Sequence, residues 1–120
     1  MWKQVVPQQI LALPYGAETE VFINRTLVHF GVLPHIRGYQ YISEALIMIK
    51  ETGSNIDITP NIYYEIAEKH YTTPKRVEKA IRHAIDISWN IGGENTLKHY
   101  FTVAPSNTDF LMLIIRWINL

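Results

Sequence analysis

The chain has 120 residues, of which 48% are hydrophobic and 18% are charged, and its 11 basic residues balance its 11 acidic residues. This length and composition predict one globular domain with an apolar core rather than a disordered segment. The absence of cysteine excludes a disulfide scaffold and a thiolate metal or redox site. A net charge of zero argues against a general nucleic-acid coat, although it allows one local basic surface.

Residues 1–17 form an N-terminal extension whose structure the sequence does not define. Pro7, Pro14 and Gly16 exclude one long helix, which leaves a packed arm, a short strand or a linker as alternatives. We expect the extension to pack on the first helix of a domain that spans residues 18–120. The apolar runs are too short to span a bilayer, and no signal peptide is evident, so we expect a cytoplasmic protein.

Apolar periodicity and helix-ending residues divide the domain into about six helices. The predicted segments are Ala17–Phe30, Ile36–Lys50, a helix from Pro60 to an interruption at Tyr71, Thr73–Trp89, a short segment within Asn95–Tyr100, and a final helix that Ser106 caps and that continues through Leu120. A parallel sheet would need repeated β-branched runs between the helices, and the sequence has none. The predicted fold is therefore all-α.

The segment Ile62–Trp89 reads as two helices joined by a tight turn. In its first half, Ile66 and Ala67 fall on the apolar side of a helix, and the small side chain of Ala67 allows a second helix to approach closely. Thr73 and Pro74 mark the start of that second helix, because a hydroxyl residue can cap it and proline is accepted in its first turn. The pattern predicts a helix-turn-helix at the centre of the fold.

The second helix of this pair is predicted to have one apolar face and one basic face. Its apolar stripe consists of Val77, Ala80, Ile81, Ala84, Ile85 and Ser88. The opposite side carries Lys75, Arg76, Lys79, Arg82 and His83, and Glu78 is the one acidic residue between Thr72 and His83. The helix dipole adds to the attraction of this side for phosphate. A basic helix face is also typical of an ordinary solvated surface, so the spacing alone leaves both interpretations open.

Three stretches resemble one known family. They read LPHIRGYQYISEA at residues 33–45, IAEKHYTTPKRVEKAIRHAIDISW at residues 66–89 and PSNTDF at residues 105–110. They occur in the family's order, and the similarity covers about residues 18–118. On these motifs the chain is identified as a member of the family of the DNA-binding effector domain of the sporulation-initiation response regulator of endospore-forming bacteria.

The resemblance implies a transcriptional regulator that binds double-stranded DNA sequence-specifically, with the helix Thr73–Trp89 in the major groove. The family's base-reading positions correspond to Arg76, Glu78 and Lys79, and Lys75 is a further candidate beside them. Arg and Lys suit the acceptors of guanine, and Glu suits the amino group of cytosine. Lys79 stands where the family usually has arginine, which removes a planar fork of donors. The candidates for phosphate contact are Thr72, Thr73, Arg82 and His83.

The family also implies a bacterial nucleoid location, a homodimer on tandem DNA boxes and the RNA polymerase sigma subunit as a partner. Because the 120 residues include no phosphoacceptor domain, we expect a stand-alone homologue. An alternative is a helical protein-interaction module that kept the fold and modulates a related regulator. An enzyme is disfavoured because the sequence has no metal-binding histidine spacing, Gly-rich phosphate loop or nucleophile elbow. We expect neither a cofactor nor a metal.

Overall fold

The computed structural model of the protein describes residues 19–52, 60–91 and 97–119. Within these ranges the chain is helical and contains no β-strand, which confirms the predicted all-α class. The α-helices are α1 (Thr19–His29), α2 (Arg37–Thr52), α3 (Pro60–Lys69), α4 (Pro74–Asn90) and α5 (Asn107–Ile118), and one turn of 3-10 helix spans Leu97–His99. The predicted extension at residues 1–17 lies outside the described residues. None of the described helices is long and apolar enough to cross a membrane.

The starts of α4 and α5 follow the predicted capping residues. Thr73 has extended backbone angles, and its side-chain oxygen accepts a hydrogen bond of 3.2 Å from the Arg76 N–H. Ser106 does the same for α5, accepting from the Asp109 N–H at 3.1 Å. Each cap satisfies an N–H group that the first helical turn leaves without a backbone partner, which stabilises a helix by about 1 kcal/mol.

The buried side chains form an apolar core, and α4 packs against α2, α3 and α5 around it. The predicted inward stripe of α4 is confirmed, with Ala80 partly buried. The fully buried members are Val77, Ile81, Ala84, Ile85 and Ser88. Burying one large aliphatic side chain stabilises a fold by about 1.5–3 kcal/mol, so this stripe fixes which side of α4 faces solvent.

An aromatic cluster holds the other elements together behind α4. The ring of Phe30, at the end of α1, lies 5.5 Å from Tyr100, 5.9 Å from Phe110 and 5.7 Å from Trp117, measured between ring centroids. Burial raises the pKa of the Tyr100 hydroxyl. These rings come from the residue after α1, from the residue after the 3-10 turn and from α5. The cluster therefore packs three separate parts of the chain together behind α4.

The start of α2 approaches the backbone of α4 so closely that only glycine fits. A Cβ atom at Gly38 would lie 2.3 Å from the carbonyl oxygen of Ala80 and 2.8 Å from the Cβ of Ala84. Near its other end, α4 is tied to α1 by a buried hydrogen bond of 2.7 Å, which the Ser88 hydroxyl donates to the Phe30 carbonyl. These two contacts fix the position of α4 along its length.

Candidate nucleic-acid interface

Residues 70–73 connect α3 to α4 through a Schellman-type helix end. The Thr72 N–H donates to the Ala67 carbonyl at 2.9 Å, and the Tyr71 N–H donates to the Glu68 carbonyl at 3.4 Å. Tyr71 has a φ of 55°, in the left-handed region that glycine or asparagine usually occupies at this position. The two helices that the sequence predicts as a pair are α3 and α4, which this short connection joins and which pack against each other; the helix-turn-helix itself stays a prediction.

A carboxylate from α2 anchors the end of α3. Glu44 lies 3.0 Å from the ammonium group of Lys69 and 2.6 Å from Nε2 of His70. The ring of Tyr41 packs edge-on against the His70 imidazole, with 5.2 Å between the centroids. This contact could not be predicted from the sequence, because Glu44 is 26 positions from His70 and no local pattern links them. The contact fixes the point from which the connection to α4 departs.

The predicted DNA-contacting residues of α4 share its solvent-facing side. An α-helix turns by about 100° per residue, so Lys75 and Lys79 project in directions about 40° apart, opposite the buried stripe. Arg76 and Glu78 project toward the two edges of the same side. Lys75, Arg76 and Lys79 are exposed, whereas Glu78 is half-buried. The four predicted base-reading side chains therefore form one contiguous surface.

Three cations of this surface have no acidic partner among the described residues. The ion pairs in residues 19–52, 60–91 and 97–119 involve Glu44 with α3, and Glu78 with Arg82. Lys75, Arg76 and Lys79 take part in none of them, and all three are exposed. Unpaired cations on one face attract an anion without first having to break a bond within the protein.

Glu78 and Arg82 pair with each other across one turn of α4. A guanidinium nitrogen of Arg82 donates to a carboxylate oxygen of Glu78, and the two side chains are 58% and 40% exposed. An exposed pair at this spacing contributes only about 0.3–0.5 kcal/mol. The sequence analysis predicted separate roles for them, base reading for Glu78 and phosphate binding for Arg82. Their i, i+4 spacing was the signal that could have revealed the pair.

The remaining phosphate candidates differ in how much of each side chain is available. Thr73 is exposed, and its hydroxyl still has a proton to donate after accepting the capping hydrogen bond. His83 is exposed on the outer side of α4. Thr72 is half-buried, and its backbone N–H already closes the end of α3. Thr73 and His83 are therefore the more accessible pair.

A groove of about 800 Å³ runs beside α4, between α3 and the start of α5. Its walls carry both signs of charge, Lys75 and Arg82 against Glu78 and Asp86. Asn107 is part of its lining, and the side-chain amide donates to the Glu78 carbonyl at 3.1 Å and to the Tyr63 hydroxyl at 3.3 Å. Asn107 is 9% exposed. It joins α5 to both helices of the pair, a role that the sequence analysis did not assign to it.

The comparison with known families agrees with the motifs in the sequence. Residues 23–118 match the family described as "Sporulation initiation factor Spo0A C terminal". The match includes all three of the motifs at residues 33–45, 66–89 and 105–110. This family is that of the DNA-binding domain of the sporulation regulator and is not an enzyme family. The chain belongs to the Spo0A C-terminal family, as its motifs predicted.

Proposed function

We propose that this protein is a transcriptional regulator that binds double-stranded DNA sequence-specifically, with α4 in the major groove. The observation that carries the proposal is the exposed side of α4, where three cations have no acidic partner among the described residues. Membership of a family of DNA-binding domains supports it independently. The major groove, about 12 Å wide, admits one α-helix.

The base-reading roles follow from where the side chains lie on α4. Arg76 and Lys79 are in the first two turns, the part of a recognition helix that meets base edges. Each is long enough to reach the guanine acceptors, and Glu78 is suited to the amino group of cytosine. Lys75 lies on the same face, between the directions of Arg76 and Glu78, and is the fourth candidate. Since Lys79 is a point charge, Arg76 is expected to discriminate between bases more strongly.

Phosphate contacts fix the position of a protein on the duplex without reading its sequence. We assign them to Thr72, Thr73, Arg82 and His83. Arg82 can exchange its contact with Glu78 for a phosphate at little cost, because the exposed pair contributes only about 0.3–0.5 kcal/mol. That exchange would also free the Glu78 carboxylate for a base.

The family membership supports two finer proposals about partners. A homodimer on tandem DNA boxes would place two copies of α4 on one face of the duplex, and the RNA polymerase sigma subunit would be contacted from there. A nucleoid location in a bacterium follows from DNA binding itself. The homodimer and the polymerase contact are both proposed from the family membership.

A randomised-duplex selection with the purified chain, followed by titration at several salt concentrations, tests the proposed function. We expect one preferred duplex to bind more tightly than a scrambled one. Replacing Arg82, the arginine among the phosphate candidates, with alanine should reduce the magnitude of the slope of log affinity against log salt by about one. If no duplex is preferred and affinity does not depend on salt, the protein-interaction module becomes the better interpretation.

A further inference from the structure

Tyr71 combines two features that are unfavourable for a tyrosine, and its side chain makes no hydrogen bond or ring contact with the described residues that would offset them. Its φ of 55° places a bulky residue in the left-handed region, which costs about 1–2 kcal/mol for a residue other than glycine. Its side chain is 98% exposed, the largest exposure among the exposed large hydrophobic residues. Glycine or asparagine would close the same helix end with less strain. The fold therefore does not account for a tyrosine here.

The position of Tyr71 places it beside the proposed DNA interface. Consecutive residues extend by at most about 3.6 Å each, so the Cα of Tyr71 lies within about 7 Å of the Cα of Thr73, the residue that caps α4. Lys75 and Arg76 follow in the first helical turn. If this turn meets base edges in a groove about 12 Å wide, Tyr71 lies level with the phosphates along the edge of that groove.

We propose that Tyr71 contacts the DNA backbone, with its hydroxyl donating a hydrogen bond to a phosphate oxygen. The inference rests on the proposed function and adds to it a residue that carries no charge. A phenol hydroxyl is a good donor to an anionic oxygen, and the neighbouring unpaired cations bring the phosphates to it. A strained, exposed residue at a binding surface is the pattern expected when its side chain acts on a ligand.

The test compares Tyr71→Asn and Tyr71→Phe with the wild type on the preferred and the scrambled duplex, together with thermal unfolding. Asparagine tolerates the left-handed conformation, so Tyr71→Asn should raise the Tm while lowering affinity about 2- to 10-fold. The loss should be equal on both duplexes, because a phosphate contact reads no sequence. Tyr71→Phe keeps the ring and removes only the hydroxyl, and it should weaken binding as well.

Salt dependence distinguishes a neutral contact from a charged one. A tyrosine releases no counterion, so the slope of log affinity against log salt should be the same for Tyr71→Asn and the wild type, whereas loss of the charged phosphate candidate in Arg82→Ala should make the slope shallower by about one. Val28→Asn is the matched control. Val28 is an exposed apolar residue of α1, two residues before Phe30, whose carbonyl accepts the hydrogen bond of Ser88. It therefore lies near the far end of α4, about 20 Å from Pro74. Val28→Asn should leave affinity unchanged.

Two results overturn the inference. If Tyr71→Asn and Tyr71→Phe both bind the two duplexes as the wild type does, Tyr71 makes no DNA contact and its exposure points to a protein partner instead. If Tyr71→Phe alone retains full affinity, the hydrogen bond to phosphate is wrong. If the wild type prefers no duplex, the proposed function itself is wrong. If the wild type shows a preference and the Tyr71 variants bind as it does, only the inference about Tyr71 is wrong.

Discussion

The two sides of α4 differ in what constrains them. The buried side is fixed by contacts to three other helices, by the close approach of Gly38 and by the hydrogen bond of Ser88. The exposed side carries Lys75, Arg76 and Lys79, whose charged ends form no ion pair within the described residues. Stability and recognition therefore use the same helix but different residues. Substitutions on one side should leave the property of the other largely intact.

The largest expected effect comes from truncating the buried side. Ile81 is fully buried, so Ile81→Ala should lower the free energy of unfolding by about 2–5 kcal/mol through lost burial and an unfilled cavity. Lys79→Ala, two residues earlier on the exposed side, should change it by no more than about 0.5 kcal/mol. Urea unfolding followed by circular dichroism measures both. Equal losses in the two variants would contradict the separation of the two sides.

A side chain at position 38 should disturb both properties at once. Gly38→Ala places a Cβ against the Ala80 carbonyl, which is backbone and cannot rotate away. We expect a loss of about 1–3 kcal/mol in the free energy of unfolding, with weaker DNA binding because α4 is displaced. Gln40→Ala, an exposed position of the same helix, serves as the control in the same unfolding and binding measurements. A Gly38→Ala variant of normal stability would show that α2 and α4 can separate freely.

Removing the predicted base reader should affect binding alone. Arg76→Ala is expected to cost about 1–3 kcal/mol on the preferred duplex and to relax the choice at one base pair. The Tm should change little, since Arg76 is exposed and unpaired among the described residues. Arg25→Ala, an exposed arginine of α1, controls for the loss of one positive charge. If Arg76→Ala weakens all duplexes equally, Arg76 contacts phosphate and reads no base.

The pair on the exposed side provides a finer test. Glu78→Gln removes the carboxylate that holds Arg82 and should lower the free energy of unfolding by only about 0.3–0.5 kcal/mol. It should raise affinity for scrambled DNA, because a negative charge leaves the surface, and reduce preference at one base pair. Asp86→Asn, at an exposed acid of the same helix, should not alter the preference. A Glu78→Gln variant with unchanged preference would exclude Glu78 from base reading.

The smallest expected effect is a pH dependence of stability that arises from His29, the residue before Phe30 of the aromatic cluster behind α4. Burial, and then the nearby His99, lower the pKa of His29 below its ordinary value of 6.5. The unfolded chain therefore takes up this proton at a higher pH than the folded one, so stability is lost as the pH falls below about 6.5 toward the folded pKa. His29→Gln should show a smaller fall in Tm between about pH 7.5 and about pH 5.5. His35→Gln, at an exposed histidine, is the control, and an unchanged fall in His29→Gln would contradict the assignment.

The helices of the domain could be predicted because their signals are local. Apolar spacing predicted the inward stripe of α4. Thr73 and Ser106 predicted the starts of α4 and α5, and these two residues cap the helices. The predicted ends differ from the observed ones by a few residues, as for α2, which was predicted to end at Lys50 and continues to Thr52. Such ends depend on packing and solvent rather than on one residue type.

The contacts that orient α4 could not be predicted because they join distant positions. Ser88 was placed on the inward stripe, but its partner, the Phe30 carbonyl, lies 58 positions away. Asn107 was visible only as part of a motif, and its two hydrogen bonds depend on how α5 packs. The left-handed conformation of Tyr71 was missed for another reason: glycine or asparagine usually signals it, and neither is present.

The zero net charge of the chain has a consequence for how it would approach a duplex. Eleven acidic residues cancel eleven basic ones, so at long range the molecule experiences almost no net pull toward DNA. The field of the phosphates would act instead on the local charge of Lys75, Arg76 and Lys79, which are exposed and have no acidic partner among the described residues. For the proposed DNA binding, we expect this local field to turn the cationic side of α4 toward the duplex before contact, so that orientation rather than net attraction accelerates the encounter.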